Sequence, residues 1–196
     1  DMLVNLGSHT ILPSARVLDV GGGEGMHACF LAQRFDLCYC LDIKEYQTLY
    51  EGEYYRLFTE QCARNGVIFW SDNLQFIECD AMDILFRDSY FDFVTSFNAM
   101  EHIPDPEKAL TEMIRVTKPG GIIYITFDPI WTADTGSHFQ HRVTEPWAHL
   151  LMEKQEFARE MRRAGAEDWE IHDFTSAMNQ VRLSEFRRMF KTASLR

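Results

Sequence analysis

The sequence predicts an α/β fold: a Rossmann-like, mostly parallel sheet with helices on both faces. Short apolar runs alternate with amphipathic segments from residue 16 to residue 127, which is the pattern of repeated β-α units. The apolar runs are continuous rather than alternating, as expected for strands buried on both faces. A glycine-rich turn joins the first run to the first amphipathic segment. The 196 residues, 46% of them hydrophobic and 25% charged, suit one globular domain.

Strands are predicted at the apolar runs, and helices where apolar residues recur every three or four positions. The predicted strands cover residues 16–20, 37–41, 74–79, 91–96 and 121–127. The predicted helices cover residues 26–34, 46–62, 106–117, 152–164 and 184–191. Gly52 is a candidate interruption of the second helix, which Asn65-Gly66 closes. Residues 169–174 fit either a short strand or a helical turn, and periodicity does not decide between them.

The helix after the fourth strand has the clearest end signals in the chain. Asp105 is a natural N-cap, Pro106 suits the first helical position, and Lys118-Pro119-Gly120 stops the helix. After Phe127 the alternation ends, and residues 128–147 lack clear periodicity. A long irregular segment inside a compact domain is usually functional.

One domain over residues 1–196 is therefore expected, in three parts. Residues 14–127 form the predicted α/β core, 128–151 a lid or insertion, and 152–196 a helical C-terminal part. Because the chain begins at Asp1 without an initiator methionine, it is expected to be a piece of something longer.

Composition narrows the classes of partner and compartment. The formal net charge of −11 opposes binding to nucleic acid or to an anionic membrane. No apolar run is long enough to cross a membrane, and the N-terminus lacks a signal-peptide pattern, so a soluble cytoplasmic protein is expected. Five cysteines without a C-x-x-C pair are expected to be reduced. The basic cluster near the C-terminus fits a solvated helix face better than a binding patch; it comprises Arg182, Arg187, Arg188, Lys191 and Arg196.

The glycine turn indicates a nucleotide-like ligand. Its spacing is Gly21-x-Gly23-x-Gly25, whereas a dinucleotide fingerprint needs its third glycine where Met26 stands. Asp19 and Glu24 place negative charge at the mouth of the turn. These carboxylates disfavour a pyrophosphate and favour a ligand with an ammonium and a sulfonium. Asp42, at the end of the second strand, stands where a carboxylate would accept hydrogen bonds from both ribose hydroxyls.

The segment from Val17 to Gly25 resembles the first motif of the class I S-adenosylmethionine-dependent methyltransferases of the methyltransferase domain 11 type. The likeness continues through five further blocks in the order and approximate spacing of that family. These blocks are Asp42, Glu78-Cys-Asp-Ala81, Phe91-Asp-Phe-Val94, Asn98-Ala-Met-Glu-His-Ile103 and Lys118-Pro-Gly-Gly121. The resemblance implies a Rossmann-like methyltransferase fold, S-adenosyl-L-methionine as cofactor, and methyl transfer, EC 2.1.1.-, as the reaction.

The resemblance also implies a role for each matching residue. Gly21, Gly23 and Gly25 would line the methionyl part of the cofactor. Asp19 would hold the amino group of that part directly or through water, and Asp42 would accept from the ribose hydroxyls.

The remaining matches surround the adenine and the sulfur. Ile43 would lie against the adenine, Asp80 would accept from its amino group, and the Ala81 backbone N–H would meet a ring nitrogen. Asn98 would border the sulfonium. Taken singly, each carboxylate also fits a structural role as a turn cap or a solvated loop residue. Together they favour the ligand, because the strands they follow end at one edge of a parallel sheet.

The resemblance makes residues 14–127 the cofactor-binding core and residues 128–151 a lid or insertion at the acceptor site. The expected acceptor is a small molecule such as a sugar or a secondary metabolite, with no nucleic acid and no membrane involved. If a hydroxyl or an ammonium is methylated, a base must take its proton, and His102 and His138 are the candidates. His138 and His141 have an H-x-x-H spacing, but no third ligand follows from the sequence, so no metal is predicted. Trp131, Phe139 and Trp147 fit either an acceptor sandwich or a packing role.

Two other functions stay open from the sequence. One is a nicotinamide-dependent oxidoreductase on the same sheet topology, and the other is a non-catalytic module that binds a cofactor or a partner. Methyltransferases of this type usually end in an antiparallel hairpin, and only one possible strand follows residue 127. The sequence leaves open whether that hairpin is present, and it does not indicate the oligomeric state.

Overall fold

The computed structural model describes residues 11–67, 72–128 and 130–193. Its five strands form one sheet in the order β3-β2-β1-β4-β5. The pairs β1–β2, β1–β4 and β2–β3 are parallel. The strands are β1 (Arg16–Val20), β2 (Leu37–Asp42), β3 (Leu74–Glu78), β4 (Phe91–Phe97) and β5 (Thr117–Thr126). The predicted α/β class and Rossmann-like parallel sheet are thus confirmed.

Helical segments connect the strands and make up the C-terminal part of the described chain. The helices are α1 (Met26–Ala32), α2 (Glu53–Arg64), α3 (Pro106–Val116), α4 (Ala148–Leu151), α5 (Lys154–Arg163), α6 (Asp168–His172) and α7 (Leu183–Thr192). A 3₁₀ turn at Leu49–Gly52 precedes α2, and a π-helical turn at Asp173–Ala177 follows α6.

The chain divides into two compact units. The sheet unit comprises Asp1–Phe97 and Glu112–Ile125, and the helical unit comprises Asn98–Thr111 and Thr126–Arg196. The core of the sheet unit is formed by residues of β1, β2, β4 and α1 and by their flanks: Ala15, Val17, Leu31, Ala32, Phe35, Cys38 and Phe93. Four consecutive residues of β1, from Val17 to Val20, are buried, which explains why this strand lacks an apolar–polar alternation.

The helical unit has its own apolar core. It contains Phe139, Ala148, Phe157, Ala158, Met161, Ile171 and Phe174. Helix α7 buries Phe186 and Met189 and exposes Arg187, Arg188 and Lys191, so the basic cluster lies on the solvated side of an amphipathic helix, while Arg196 lies outside the described residues.

The predicted end signals act as expected at two helices. Asp105 caps α3, since its Oδ1 accepts a hydrogen bond of 2.9 Å from the Lys108 N–H. Gly52 interrupts the second helical segment, where it has a φ of +83° and stands as the N-cap of α2. Residues 169–174 are helical, because they divide between α6 and the π-helical turn.

Two details differ from the sequence expectations, and one question that the sequence left open is answered for the described residues. Strand β5 begins at Thr117, directly after α3, rather than at Gly121. The short helix α4 was not predicted, because four residues are too few to establish a helical period. Within the described residues no strand follows β5, so the closing hairpin of the family is absent from that part of the chain. Nowhere in the described ranges is there a helix with the length and apolarity that crossing a membrane requires.

Candidate cofactor and acceptor sites

The predicted cofactor residues of the sheet unit gather at one edge of the sheet. Strands β1, β2 and β3 are neighbours and parallel, so their carboxyl ends point the same way. The register pairs Val20 with Leu41 and Asp42 with Glu78 at that edge. In open α/β sheets this edge is where ligands bind.

The glycine turn is tied to the end of β2. The N–H groups of Gly21 and Gly22 both donate to the Leu41 carbonyl, over 2.8 and 3.0 Å. Within the turn, the Gly25 N–H donates to the Gly22 carbonyl over 2.9 Å. The three predicted glycines have positive φ: +69° at Gly21, +55° at Gly23 and +88° at Gly25. Residues that carry a side chain rarely adopt a positive φ, so the backbone conformation favours glycine at these three positions.

Two glycines are also required because the space above them is filled. A Cβ on Gly22 would stand 2.5 Å from the Cys40 Sγ, and a Cβ on Gly25 would stand 2.6 Å from the Phe76 ring. Gly22 received no role from the sequence. Its neighbour Cys40, on β2, lies directly beneath the turn, and only the folded register reveals that contact.

Asp19 presents an oxygen with no partner to this edge. The residue is 1% exposed, and its Oδ1 accepts a hydrogen bond of 2.9 Å from the Thr95 hydroxyl. Within the described residues, the buried Oδ2 has no hydrogen-bond partner. Burial raises the pKa of Asp19 to about 7, although the Thr95 hydrogen bond opposes the rise, and the nearby Asp42 carboxylate adds to it. An ammonium beside Oδ2 would satisfy both the missing hydrogen bond and the charge.

Asp42 contacts the glycine turn directly. Its Oδ2 accepts from the Gly23 N–H over 2.9 Å, and its Oδ1 accepts from the Lys44 N–H over 3.3 Å. Partial burial raises the pKa of Asp42, and these backbone hydrogen bonds counteract the rise. Each carboxylate oxygen has a second acceptor position, so both can still accept a ligand hydroxyl.

The residues predicted to meet the adenine follow β2 and β3. Ile43 is 61% exposed, which leaves its side chain available to a flat apolar ring. Asp80 Oδ1 accepts from the Met82 N–H over 2.8 Å, which gives the loop after β3 a fixed turn. Ala81 is buried next to it. The structure therefore holds Asp80 and Ala81 in a defined loop beyond the strand that neighbours β2.

Two tyrosines missed by the sequence analysis lie beside the turn. The Tyr54 hydroxyl donates to the Glu24 carboxylate, and the rings of Tyr46 and Tyr54 are 6.3 Å apart. Burial, with the charges of Asp42 and Glu24, raises the pKa of Tyr46 to about 12. Their spacing suggested only the apolar side of a helix, and nothing in it pointed to Glu24.

In the helical unit the predicted acceptor-side residues lie on the loop after β4 and on the 128–147 segment. Asn98 has a φ of +50°, and its N–H donates to the Thr126 carbonyl over 2.8 Å. The rings of His102 and His138 are 5.2 Å apart and nearly perpendicular. Burial lowers the pKa of His102, and the positive His138 ring would act in the same direction, while Asp173 opposes the shift. The structure therefore brings the two predicted catalytic histidines together.

The other histidines of the long segment have structural partners. His141 Nε2 lies 3.0 Å from Glu170 Oε1, and His149 Nε2 lies 2.7 Å from the Trp131 carbonyl. In the part of the chain that the structure describes, no cluster of three or more His, Cys, Asp or Glu side chains could hold a metal ion.

Two of the three aromatic residues considered in this segment have the packing role. Phe139 belongs to the core of the helical unit, and Trp131 packs against that core and the Phe174 ring. Trp147 is 49% exposed. Phe139 and Trp131 therefore secure the segment to the unit.

A comparison with protein families matches the methyltransferase domain model over residues 18–125. The chain belongs to this methyltransferase family. The match covers more than half of the chain and contains the glycine turn, Asp42, Asp80 and Asn98. It confirms the resemblance to the class I S-adenosylmethionine-dependent methyltransferases. It also confirms S-adenosyl-L-methionine as the cofactor that this family implies.

Relatives and solved structures agree with this family. An uncharacterized methyltransferase of Mycobacterium sp. (strain JLS) is 30% identical over 122 residues, which are 62% of this chain and 42% of the relative. Another, from Mycobacterium tuberculosis, is 38% identical over 63 residues, 32% of this chain and 24% of the relative. The chain thus spans less than half the length of these curated relatives.

Two solved methyltransferase structures share the fold. A Haloferax volcanii protein, solved in complex with the Trm112 methyltransferase activator, has a TM-score of 0.55 and 24% identity over 85% of this chain and 69% of its own. A Bacillus halodurans protein has a TM-score of 0.54 and 20% identity over 95% of this chain and 87% of its own. At these identities, the likeness shows the fold alone.

The residues at the methyltransferase sheet edge fit S-adenosylmethionine. The buried Asp19 Oδ2, which has no partner among the described residues, suits an ammonium. A Cβ on Gly23 would meet no atom within 4 Å, so the turn is open to a ligand at this position. Asp42 offers acceptor positions at the end of the neighbouring strand. Bound there, the cofactor would supply an activated methyl group.

Proposed function

We propose that this methyltransferase transfers a methyl group from S-adenosylmethionine to a small-molecule acceptor. The observation that carries the proposal is the carboxylate arrangement at the glycine turn. Asp19 has a buried oxygen with no hydrogen-bond partner among the described residues. Asp42, at the end of the neighbouring strand, accepts a hydrogen bond from the Gly23 N–H. These two carboxylates interact with each other and are both shielded from water, so together they favour a cationic ligand and oppose a pyrophosphate.

The sheet unit would bind and orient the cofactor. Asp19 would accept a hydrogen bond from the ammonium, and Asp42 would accept from the ribose hydroxyls. Gly21, Gly23 and Gly25 would follow the methionyl chain. This alignment is the main contribution that the protein can make, because methyl transfer from a sulfonium already has a good leaving group.

The remaining sheet-unit residues would select the adenine. Ile43 would cover one face of the ring, while Asp80 and the Ala81 N–H would meet its polar edge. Asn98, directly after β4, would border the sulfur.

The helical unit would hold the acceptor. Its perpendicular His102–His138 pair supports this assignment, because imidazoles can bind and deprotonate a hydroxyl or an ammonium. The net charge of −11 supports a small acceptor rather than a nucleic acid.

The first experiment measures binding of S-adenosylhomocysteine by isothermal titration calorimetry. Asp42→Ala is expected to weaken binding by about 1 to 3 kcal/mol, as for the loss of a charged hydrogen-bond partner. Asp42→Asn keeps an oxygen for the Gly23 N–H, so it separates loss of the ligand contact from loss of the turn. The matched control is Asp88→Asn, since the Asp88 side chain is 76% exposed and pairs with Arg115. No binding to the folded wild-type protein would refute the cofactor assignment.

The second experiment tests turnover. The wild-type protein is incubated with S-adenosylmethionine and a panel of small alcohols, phenols and amines, and S-adenosylhomocysteine formation is followed. Acceptor-dependent formation supports the proposal. Binding of S-adenosylhomocysteine without transfer to any member of the panel would instead indicate the non-catalytic module.

A further inference from the structure

Glu101 is a buried carboxylate that the predicted site does not use. It is 3% exposed, and its Oε2 has no hydrogen-bond partner among the described residues. The carboxylate accepts from the backbone N–H groups of Asp128 and of Glu101 itself. Buried polar atoms normally have a partner, so an open acceptor position at this depth requires an explanation. Glu101 lies four residues beyond the end of β4, directly before His102.

The loop that carries Glu101 is held by one residue from the C-terminal part of the chain. The Asn179 side-chain amide donates to the carbonyls of Met100 and Ile103, over 2.6 and 2.8 Å. The Asn179 backbone N–H donates to the Glu101 carbonyl over 3.0 Å. Asn179 Oδ1 in turn accepts from the Val181 N–H over 3.0 Å. Three donors from one residue hold the loop on both sides of Glu101.

The charges around Glu101 are few. The Asp128 carboxylate acts on Glu101, and no ion pair joins Glu101 to a Lys, Arg or His in the described ranges. The adjacent His102 interacts with Asp173 and His138. Burial raises the pKa of Glu101 to about 7, and the Asp128 charge adds to that rise. An acid with this pKa is half ionised near neutral pH, where a carboxylate can both accept a proton and release it.

We propose that Glu101 accepts the proton that the methyl acceptor releases, and that Asn179 is the positioning residue that holds Glu101 in place. This inference rests on the proposed methyl transfer. As the bond between the acceptor heteroatom and the methyl carbon forms, the bond from that carbon to sulfur breaks, and its electron pair stays on sulfur. The proton of the acceptor heteroatom passes to the ionised Glu101 carboxylate, which becomes the neutral acid and later loses that proton to water.

Glu101 thereby takes the role that the sequence favoured for His102. Burial lowers the pKa of the His102 ring, which makes it the weaker base near neutral pH. The open oxygen of Glu101 is a hydrogen-bond acceptor without a competing partner in the described chain. His102 and His138 are then residues that orient the acceptor.

The first readout needs no turnover. Protein carrying ¹³C at the glutamate side-chain carboxyls is titrated by NMR from about pH 4 to pH 9, with and without S-adenosylhomocysteine. Glu101→Gln assigns the Glu101 signal, and Glu170→Gln assigns a matched buried carboxylate of the same unit. Glu101 is expected to titrate near 7, whereas Glu170, whose pKa its Arg142 partner lowers to about 2, stays ionised throughout. A Glu101 midpoint near the ordinary value of about 4.3 would overturn the proposal.

The second readout is the pH profile of methyl transfer with the best acceptor of the panel. The wild-type kcat is expected to rise with pH through about 7. Glu101→Gln is expected to lose that rise and to lower kcat at least about 100-fold, with an unchanged Kd for S-adenosylhomocysteine. An unchanged profile in Glu101→Gln, or its loss in His102→Ala alone, would overturn the role of Glu101 and leave the methyltransferase proposal intact. Absence of both cofactor binding and transfer would refute the proposed function itself.

Substitutions of Asn179 test whether this residue positions Glu101 or only stabilises the fold. Asn179→Asp keeps the Val181 contact and replaces the two side-chain donors with an acceptor, and Asn179→Ala is used where the aspartate variant does not fold. Either variant is expected to lower kcat about tenfold or more, because misplaced groups lose reactivity steeply, without changing the Kd for S-adenosylhomocysteine. An unchanged kcat in a folded variant would remove Asn179 from the proposal.

Discussion

Asp19 in the sheet unit and Glu170 in the helical unit are equally buried carboxylates that differ in their hydrogen-bond partners. Each is 1% exposed. Glu170 accepts from Arg142 Nε and Nη2, over 2.9 and 2.7 Å, and lies 3.0 Å from His141 Nε2. Its pKa falls to about 2, chiefly because Arg142 hydrogen-bonds the ionised form, and the Glu167 N–H adds to that effect. At Asp19 the Thr95 hydroxyl and the Ala28 backbone N–H oppose the effect of burial only in part, and the pKa rises to about 7.

The difference separates a carboxylate that stabilises the fold from one that is available to a ligand. Glu170 has its charge and hydrogen bonds satisfied inside the helical unit, including the Glu167 N–H at the start of α6. Asp19 has an oxygen, Oδ2, that accepts no hydrogen bond from the described residues and lies at the glycine turn. Burial alone therefore does not identify a functional carboxylate, and the number of its partners does.

The largest stability effect is expected at Glu170. Glu170→Gln removes the charge that Arg142 and His141 contact and leaves the guanidinium partly buried without its partner. The Tm at neutral pH is expected to fall by more than about 5 °C, with an unchanged Kd for S-adenosylhomocysteine. Because the folded pKa of Glu170 is lowered, its stabilisation is present above the unfolded value and is lost as the pH falls toward about 2. A Tm difference that does not shrink in acid would contradict this account.

Asp19→Asn is expected to show the opposite pattern. Asparagine keeps an oxygen for the Thr95 hydroxyl and removes only the charge that would meet the ammonium. Calorimetry is expected to show weaker binding of S-adenosylhomocysteine by about 2 kcal/mol. Urea unfolding at pH 8 is expected to show a free energy of unfolding at least as large as that of wild type, because the variant lacks the buried charge that wild-type Asp19 carries at this pH. A folded Asp19→Asn protein that binds as tightly as wild type would remove Asp19 from the cofactor site.

The sheet unit was predicted well because its signals are local. Continuous apolar runs, the glycine turn and the Asp105-Pro106 start of α3 each act within a few residues, and strands and helices appear where these signals place them. The start of β5 was less predictable. Lys118-Pro119-Gly120 was interpreted as the end of a helix and the turn before a strand. In the structure these three residues already belong to β5, which begins at Thr117.

Residues of the candidate sites could be predicted from the sequence only where a carboxylate stands at a recognisable place, such as the end of a predicted strand. Asp19 and Asp42 could be proposed because each stands at the end of a predicted strand. Glu101 and Asn179 could not be connected, because 76 to 79 residues separate the Asn179 amide from the carbonyls it contacts. The roles of Cys40 and Gly22 likewise depend on how β2 packs beneath the turn.

The pH dependence of cofactor binding tests the Asp19 side of the comparison with a smaller effect. Pairing with an ammonium requires the ionised carboxylate, and the free Asp19 has a pKa of about 7. The Kd for S-adenosylhomocysteine is therefore expected to rise about tenfold for each pH unit below 7 and to level off above it. In the free protein the sign is reversed: stability is greatest below the unfolded pKa of Asp19 and declines as the pH rises through 7. Asp19→Asn is expected to remove both dependences, and a pH-independent wild-type Kd would show that Asp19 does not pair with the ligand.

The smallest effect is expected where an ion pair lies at the surface of the helical unit. Arg163 pairs with Glu160 on α5, and their side chains are 72% and 36% exposed. Water already solvates both charges, so Arg163→Gln is expected to change the Tm by less than about 1 °C. This variant removes an arginine–carboxylate pair, as Glu170→Gln does, but at the surface rather than in the interior. If both variants lowered the Tm equally, the stabilising role of Glu170 would come from pairing alone, and its burial in the helical unit would not explain the contrast with Asp19.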